Sequence, residues 1–428
     1  MANQKKLKAS QSVSGQVTLP GSKSITNRIL LLSAISKGAT TIKNTLSSDD
    51  THYMIEALKK LQVELTQKNS GDIIIQGTSG SFKNKSAEIF LGNAGTALRP
   101  LTAVLSLSQG SYTLSGVQRM HERPIKDLVD ALLQLNADIS YLGEIGYPPL
   151  KISPSEIKFE VPIKIRGDIS SQFLTALLIC APLSKKEVSI EIIGDLISKP
   201  YIDITLNLMA RFGVHVKKID WQHFVIPSSS DYVSPGEIFV EGDASSASYF
   251  LAAGALAGEI EVKGIGGNSI QGDVKFADAL ALMGADIHIS ETSIKVSKAK
   301  TLNAITLDCN HIPDSAMTLA VLALFAKGTT RLSNIASWRV KETDRIKAMA
   351  NELRKLGATV IEGKDFIEIT SPLHINENIE IDTYDDHRMA MCFSLVSLKN
   401  IPITINDPAC VNKTFPTYFE VLESIVQH

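Results

Sequence analysis

The 428-residue sequence predicts an α/β fold of two domains, each assembled from three repeated βα-rich units. Three observations lead there. A turn rich in Gly, Asp or hydroxyl residues, followed by an almost wholly apolar run, occurs six times, and an amphipathic run follows each. The anchor residues Leu58, Leu132, Met209, Leu280, Leu353 and Leu422 of those amphipathic runs recur at a period of roughly 70 residues, longer than common solenoid repeats.

The first apolar run, LPGSKSITNRILLLSAISKG from Leu19 to Gly38, sets the pattern. Gly21 permits close backbone approach, Ser22 and Ser24 suit a helix start, and Gly38 is a stop signal. Such a start presents orphan N–H groups and the positive end of the helix dipole, to which Lys23 and Arg28 add full charges. The G-S-K-S string lacks the second glycine and the G-K-[ST] spacing of a P-loop, which excludes that nucleotide site.

The device returns as NAGTALRPLTAVLSLSQG from Asn93, GDISSQFLTALLICAPLS from Gly167, GDASSASYFLAAGALAG from Gly242, IPDSAMTLAVLALFAKG from Ile312 and DDHRMAMCFSLVSLKN from Asp385. Strand-like segments such as TTIKNT, SYTLSGV, VSIEIIG and TTRLSNI follow these runs. The amphipathic runs contain IEALKKLQVEL, VDALLQLNADI, LNLMARFGVHV, ADALALMGADI and ANELRKLGATV, with FEVLESIVQH last. Six buried and six amphipathic helices are expected.

The last unit stops before its terminal strands, whereas KLKASQSVSGQVTLP near the start is strand-like with no helix in front of it. The expected closure is that this first strand completes the last unit. Residues 22–240 then form one domain, and residues 1–21 with 241–428 the other, with crossings near Pro20–Ser22 and Val240–Gly242 acting as a hinge.

A formal net charge of −2 excludes a protein dominated by nucleic-acid electrostatics, so any basic site is local. The opening MANQKKLKAS has no apolar h-region, and runs such as Phe173–Leu183 are too short to span a bilayer, so a cytoplasmic chain without membrane contact is expected. Cys180, Cys309, Cys392 and Cys410 lack CxxC or metal-finger spacing and read as buried, inert thiols. No His/Cys/carboxylate cluster has ligand spacing, so neither metal nor organic cofactor is expected.

The unusual polar residues collect at the starts of the apolar helices: Lys23, Ser24 and Arg28; Asn93, Gly95, Thr96 and Arg99; Ser170, Ser171 and Gln172; Asp314; and Asp386, His387 and Arg388. An otherwise apolar helix has little structural need for Arg or His in its first turn. Arg123, Lys199, Lys341, Arg345 and Lys413 add cations from loops and amphipathic helix starts. If the two domains face each other, these starts enclose a cleft suited to a ligand with more than one phosphate or carboxylate. Glu342 lies between Lys341 and Arg345, and an acid so placed can exchange protons at a reacting carbon or hydroxyl. Lys23, crowded by other cations, is a candidate acid or base. Asp314 fits an ordinary N-cap and a catalytic acid equally well, while Asp243 reads as structural.

The strings GSKSITNR, LGNAGTALRPL, ERPIKDLVDAL, GDISSQFLTALL, SKPYIDITL, VEGDASSASYFLA, WRVKETDRI, YDDHRMAM and KTFPTYF, in this order over nearly the whole chain, closely resemble the 5-enolpyruvylshikimate-3-phosphate synthase family. The resemblance implies the enolpyruvyl transferase fold of two inverse α/β domains with three repeated units each. It also implies transfer of the enolpyruvyl group of phosphoenolpyruvate to the 5-hydroxyl of shikimate 3-phosphate, by addition and elimination, with release of phosphate. Carried over by position, Ser24 and Arg28 hold the shikimate carboxylate, Ser170, Ser171, Ser198 and Lys341 the phosphorylated ring, and Tyr201 lines that ring. Gln172 touches both substrates, and Lys23, Gly95, Arg123, Arg345, Arg388 and Lys413 surround phosphoenolpyruvate.

Lys23 and Asp314 also fall beside shikimate 3-phosphate on this reading, which assigns Lys23 and Glu342 to proton transfer at C3 and Asp314 to the 5-hydroxyl. Ser337 stands where relatives often carry Asn before the Trp, so one polar contact to the phosphorylated substrate does not carry over by position. Gly95, Thr96 and Pro100 match the glyphosate-sensitive class, so glyphosate is expected to compete with phosphoenolpyruvate. The resemblance further implies domain closure on substrate binding, and a monomer is expected. A UDP-N-acetylglucosamine enolpyruvyl transferase is the nearest rival, but none of the four thiols sits in a Gly/Pro-rich reactive loop. A non-catalytic anion-binding module explains the cations but not the acids among them.

Overall fold

Helices whose side chains are apolar on every side have to be enclosed, and they occupy the middle of each half of the molecule. In the computed structural model, which describes residues 4–159 and 162–427, the chain divides into two compact units. One is Gly21–Val240; the other joins the segment ending at Pro20 to the one starting at Glu241.

In Gly21–Val240 the helices come in pairs: α1 (Lys23–Ile35) with α2 (Asp49–Lys60), α3 (Gly95–Ser106) with α4 (Lys126–Leu133), and α5 (Ser171–Cys180) with α6 (Lys199–Arg211). The first of each pair buries nearly every side chain and the second buries one face. Leu30, Leu31 and Leu32 of α1 are fully enclosed. Truncating any one of them to alanine is expected to cost about 2–5 kcal/mol.

Three four-stranded sheets share one pattern, a parallel pair at one edge followed by two antiparallel pairings. They are centred on the strands Ala39–Lys43, Ser111–Ser115 and Val188–Ile193, which follow the buried helices. The parallel edge partner of Ala39–Lys43 is Glu237–Phe239, from the far end of the unit, in register Ile238↔Ile42. The three repeats thus close on themselves, and the Asn44 amide secures the seam by donating to the Val240 carbonyl at 2.8 Å.

The other unit repeats the scheme with α7 (Ala244–Ala257) and α8 (Phe276–Leu282), α9 (Ala316–Leu322) and α10 (Arg345–Lys355), and α11 (His387–Ser394) and α12 (Tyr418–Ile425). Every residue of α7, α9 and α11 is buried. The apolar runs outlast α9 and α11, continuing as the tighter 3₁₀ turns Ala323–Phe325 and Leu395–Lys399.

The N-terminal stretch, read as one strand, forms two. Gln4–Leu7 pairs antiparallel with Ile403–Asn406 of the last repeat, and Ser12–Thr18 runs parallel to Gly258–Lys263 of the first. That second pairing needs a glycine: a Cβ at Gly258 would lie 1.8 Å from the Val13 carbonyl oxygen. Ser12–Thr18 also pairs antiparallel with Val426–Gln427, so the second N-terminal strand and the last strand share one sheet.

Candidate active site

In Gly21–Val240 the starts of α1, α3, α5 and α6 converge, and Arg28 is the residue that joins most of them. Its Nε donates to Thr205 Oγ1 of α6 at 2.9 Å, and its terminal nitrogens donate to the Ser24 carbonyl at 2.9 Å and, at 3.4 Å, to Thr175 Oγ1 of α5 and the Tyr201 carbonyl. All four acceptors are neutral. Among the described residues no carboxylate pairs with this buried guanidinium, and burial holds its pKa down to about 10. A cation kept out of water without a counter-ion is costly unless a ligand supplies the anion.

Gly95 opens α3, and a Cβ there would sit 2.3 Å from a terminal nitrogen of Arg99, 2.9 Å from one of Arg123 and 3.1 Å from Gln172 Oε1. The bare glycine backbone therefore fits beneath two guanidinium groups and the Gln172 amide. Arg123 is aimed by two 2.9 Å bonds to the carbonyl and the side-chain oxygen of Asn93. Asn27 of α1 donates to Thr96 Oγ1 at 2.8 Å and fixes α3 against α1. Ser170 caps α5 by accepting from the Gln172 N–H at 3.3 Å, and Ser171 is buried beside it. Ser198, also buried, enters α6 at φ +53°, with the Tyr201 N–H donating to its carbonyl at 3.1 Å.

Two lysines of this unit have neighbours that the sequence reading did not name. The Lys23 ammonium lies 3.3 Å from Asp50 Oδ2 of α2. Lys199 lies 5.6 Å from the centre of the Trp221 ring. Asp50 escaped the sequence reading because SSDDT resembles a simple helix cap. In the structure Ser48 and Thr51 form the capping box, which leaves the buried Asp50 for Lys23.

The second unit carries a denser cluster. Arg345, the first residue of α10, donates to Asp314 Oδ1 at 3.0 Å, to Glu342 Oε2 at 2.8 Å, and through Nε to Asp386 Oδ2 at 2.7 Å. Arg388 of α11 donates to Asp314 Oδ2 at 3.0 Å and to the Tyr249 hydroxyl at 3.1 Å. Lys341 Nζ is 3.5 Å from Asp314 Oδ1. Burial alone would raise the Asp314 pKa, but Arg388, Lys341 and Arg345 hold it well below the ordinary carboxylate range. Glu342, Arg345, Asp386, His387 and Arg388 are all buried, as is Lys413 at the end of the turn Pro408–Lys413.

The residue directly before α9 is Ser315, and Asp314, one position earlier, meets the cations Lys341, Arg345 and Arg388. Asp243 acts as a cap, accepting from the N–H groups of Ser245 at 2.9 Å and Ser246 at 3.3 Å. Trp338, fully buried, donates its indole N–H to the Pro313 carbonyl at 2.6 Å and so fixes the backbone next to Asp314. Asp273 lies behind, accepting from the hydroxyls of Ser245 and Ser315; its pKa is raised by burial and by Asp314. Ser337 is half-buried in the turn Ala336–Val340.

The four cysteines are buried, and desolvation pushes the thiols of Cys180, Cys309 and Cys392 up to about 12. Such thiols are poor nucleophiles. Among the described residues no group of three or more His, Cys, Asp or Glu could hold a metal ion, and no helix is long and apolar enough to cross a membrane.

The profile of EPSP synthase (3-phosphoshikimate 1-carboxyvinyltransferase) matches residues 7–422. The chain belongs to the EPSP synthase family. It is 60% identical over 414 residues to the 3-phosphoshikimate 1-carboxyvinyltransferase of Cellvibrio japonicus, covering 96% of this chain and 97% of that one. To the Cupriavidus necator enzyme of the same name it is 58% identical over 420 residues, covering 96% of each. Among solved structures, EPSP synthase from Acinetobacter baumannii superposes with a TM-score of 0.82 at 26% identity, covering 99% of this chain and 98% of that one. The enolpyruvyl transferase NikO of Streptomyces tendae gives 0.75 at 15% identity, covering 98% and 96%, which speaks to the fold. The architecture is therefore the enolpyruvyl transferase fold expected from the sequence.

Proposed function

We propose that the two clusters divide the labour of the family's reaction. The chain transfers the enolpyruvyl group of phosphoenolpyruvate to the 5-hydroxyl of shikimate 3-phosphate and releases phosphate, a step of aromatic amino-acid biosynthesis. Ser24 and Arg28 hold the shikimate carboxylate; Ser170, Ser171, Ser198 and Lys341 hold the phosphorylated ring, which Tyr201 lines. Gln172 contacts both substrates, and Lys23, Gly95, Arg123, Arg345, Arg388 and Lys413 surround phosphoenolpyruvate. The observation that carries this reading is the buried Arg28 guanidinium with only neutral acceptors around it. It supports an anion at that spot.

The chemistry follows from the acids. In the addition step the 5-hydroxyl oxygen bonds to C2 of phosphoenolpyruvate, its proton passes to Asp314, and C3 gains a proton from Glu342 or Lys23. In the elimination step a C3 proton returns to Glu342 or Lys23, and the phosphate departs with the C2–O bonding pair and takes up the proton that Asp314 holds. Asp314, held by three cations, is a weak base until they are engaged elsewhere. Those cations are the ones assigned to anionic substrates, so substrate binding draws positive charge away from Asp314 and makes it basic enough to take the hydroxyl proton. Fixed cations also stabilise the departing phosphate and hold two repelling anions in place.

The enzyme is a cytoplasmic monomer on this reading, and glyphosate competes with phosphoenolpyruvate. The deciding assay mixes both substrates and follows phosphate release, with deuterium uptake at the enolpyruvyl methylene in heavy water. Release with UDP-N-acetylglucosamine in place of shikimate 3-phosphate overturns the acceptor assignment. Indifference to high glyphosate overturns the inhibitor, and a dimer in sedimentation overturns the monomer.

A further inference from the structure

Glu352 is a carboxylate with no exposed surface that takes no part in the chemistry above. It lies on α10 seven residues after Arg345, two turns along the same face. Its oxygens accept from the Tyr384 hydroxyl at 2.7 Å, from the Asp382 backbone N–H at 3.1 Å, and from the Lys355 ammonium at 2.8 Å. Lys355 also reaches Asp382 Oδ2 at 2.7 Å, and Asn406 donates to Asp382 Oδ1 at 2.7 Å. Every one of these bonds ends on the segment leading into α11 or on a neighbour that braces it.

That segment is strained. Tyr384 and Asp385 are consecutive non-glycine residues with φ of +54° and +53°, a left-handed pair that side chains disfavour. The next residue, Asp386, caps α11 by accepting from the Arg388 N–H at 2.9 Å and takes the Nε of Arg345 at 2.7 Å. The turn is therefore tied to α10 at two points: Arg345 with Asp386, and Glu352 with Tyr384 and Asp382. Strain of this kind persists only where surrounding bonds over-determine it.

We propose that Glu352 and Tyr384 are positioning residues, which hold the left-handed Tyr384–Asp385 turn so that Asp386 and Arg388 stay in register with Arg345. The proposal rests on the assignment of Arg345 and Arg388 to phosphoenolpyruvate. A loosened turn lets Asp386 slip from Arg345 and rotates the first turn of α11. The cost then falls on phosphoenolpyruvate, not on the acceptor held by Arg28.

The test measures KM for each substrate, kcat and Tm in Tyr384→Phe, Glu352→Gln and Arg388→Lys. Tyr384→Phe removes one hydroxyl and leaves Glu352 two donors, so it decides the matter if Glu352→Gln fails to fold. The expected result is a rise of about tenfold in KM for phosphoenolpyruvate, with KM for shikimate 3-phosphate within about twofold of the parent. A purely structural role lowers Tm or the active fraction and leaves both KM values in place; that outcome, or unchanged kinetics in Tyr384→Phe, overturns the proposal. Arg388→Lys separates the two layers. If it leaves KM for phosphoenolpyruvate unchanged, the underlying assignment fails; if it raises that KM while Tyr384→Phe does not, only the positioning role fails.

Discussion

The two units hold their buried guanidinium groups in opposite ways. In Gly21–Val240, Arg28 is satisfied by hydroxyl and carbonyl oxygens and Arg123 by the neutral Asn93. In the other unit Arg345 and Arg388 lean on carboxylates, Arg345 on three of them. A guanidinium among neutral acceptors keeps its full charge for an incoming anion. One wrapped in carboxylates is already neutralised, and a ligand has to exchange with the acids around it. The first arrangement suits a site that recognises; the second suits one where acids must change partners during the reaction.

The sharpest way to break this contrast is to remove the acids. Asp314→Asn and Glu342→Gln are expected to lower kcat by about 10²–10⁴-fold, while Arg345 keeps Asp386 as a partner. Turnover within a few-fold of the parent for Glu342→Gln ends its proton-transfer role.

Next is Arg28→Met, which should raise KM for shikimate 3-phosphate by about a hundredfold, since a buried charge pair with the ligand is lost. The unliganded variant should melt no lower than the parent. The change removes an uncompensated buried charge, and Thr175 and Thr205 still hydrogen-bond each other at 3.1 Å. A lower Tm would show that the neutral acceptors fully compensate Arg28.

Gly95→Ala places a methyl against Arg99 and Arg123 and should raise KM for phosphoenolpyruvate about tenfold, with inhibition by glyphosate weakened alongside and the acceptor KM unchanged. The smallest effect concerns acid. Asp314 has a depressed pKa in the folded state, so its stabilising contribution is complete above the ordinary carboxylate value of about 4 and fades as pH falls towards the depressed one. Asp314→Asn should therefore flatten the loss of stability below about pH 4, whereas Arg28→Met should not.

The repeat was legible because its signal is long-range and redundant: past their polar first residues α1 and α7 are almost wholly apolar, and such helices have nowhere to go but inside. The cations at helix starts were legible for the complementary reason, as charge where burial is certain. What the residues alone did not reveal depends on pairing across distant segments. Asp50 sits in a run that reads as a cap, and its meeting with Lys23 is set by how α1 packs on α2. Thr175 and Thr205 look like ordinary helix residues until Arg28 reaches both. Asp314 was ambiguous between cap and acid because both roles place a carboxylate just ahead of a helix. Its meeting with Lys341, Arg345 and Arg388, from segments far along the chain, is not written in that stretch of sequence. The break between Gln4–Leu7 and Ser12–Thr18 carries no glycine or proline to announce it.

The strand Ser12–Thr18 finds its parallel neighbour only in Gly258–Lys263. A growing polypeptide must therefore carry that strand unpaired while all of Gly21–Val240 emerges, on the order of tens of seconds at ordinary ribosomal speed. The inserted half can finish folding while the outer half waits for its own beginning to be collected. Losing the first eighteen residues would then leave the inserted half intact and strip the outer half of one strand from each of two sheets, an injury at the amino terminus felt at the opposite end of the gene product.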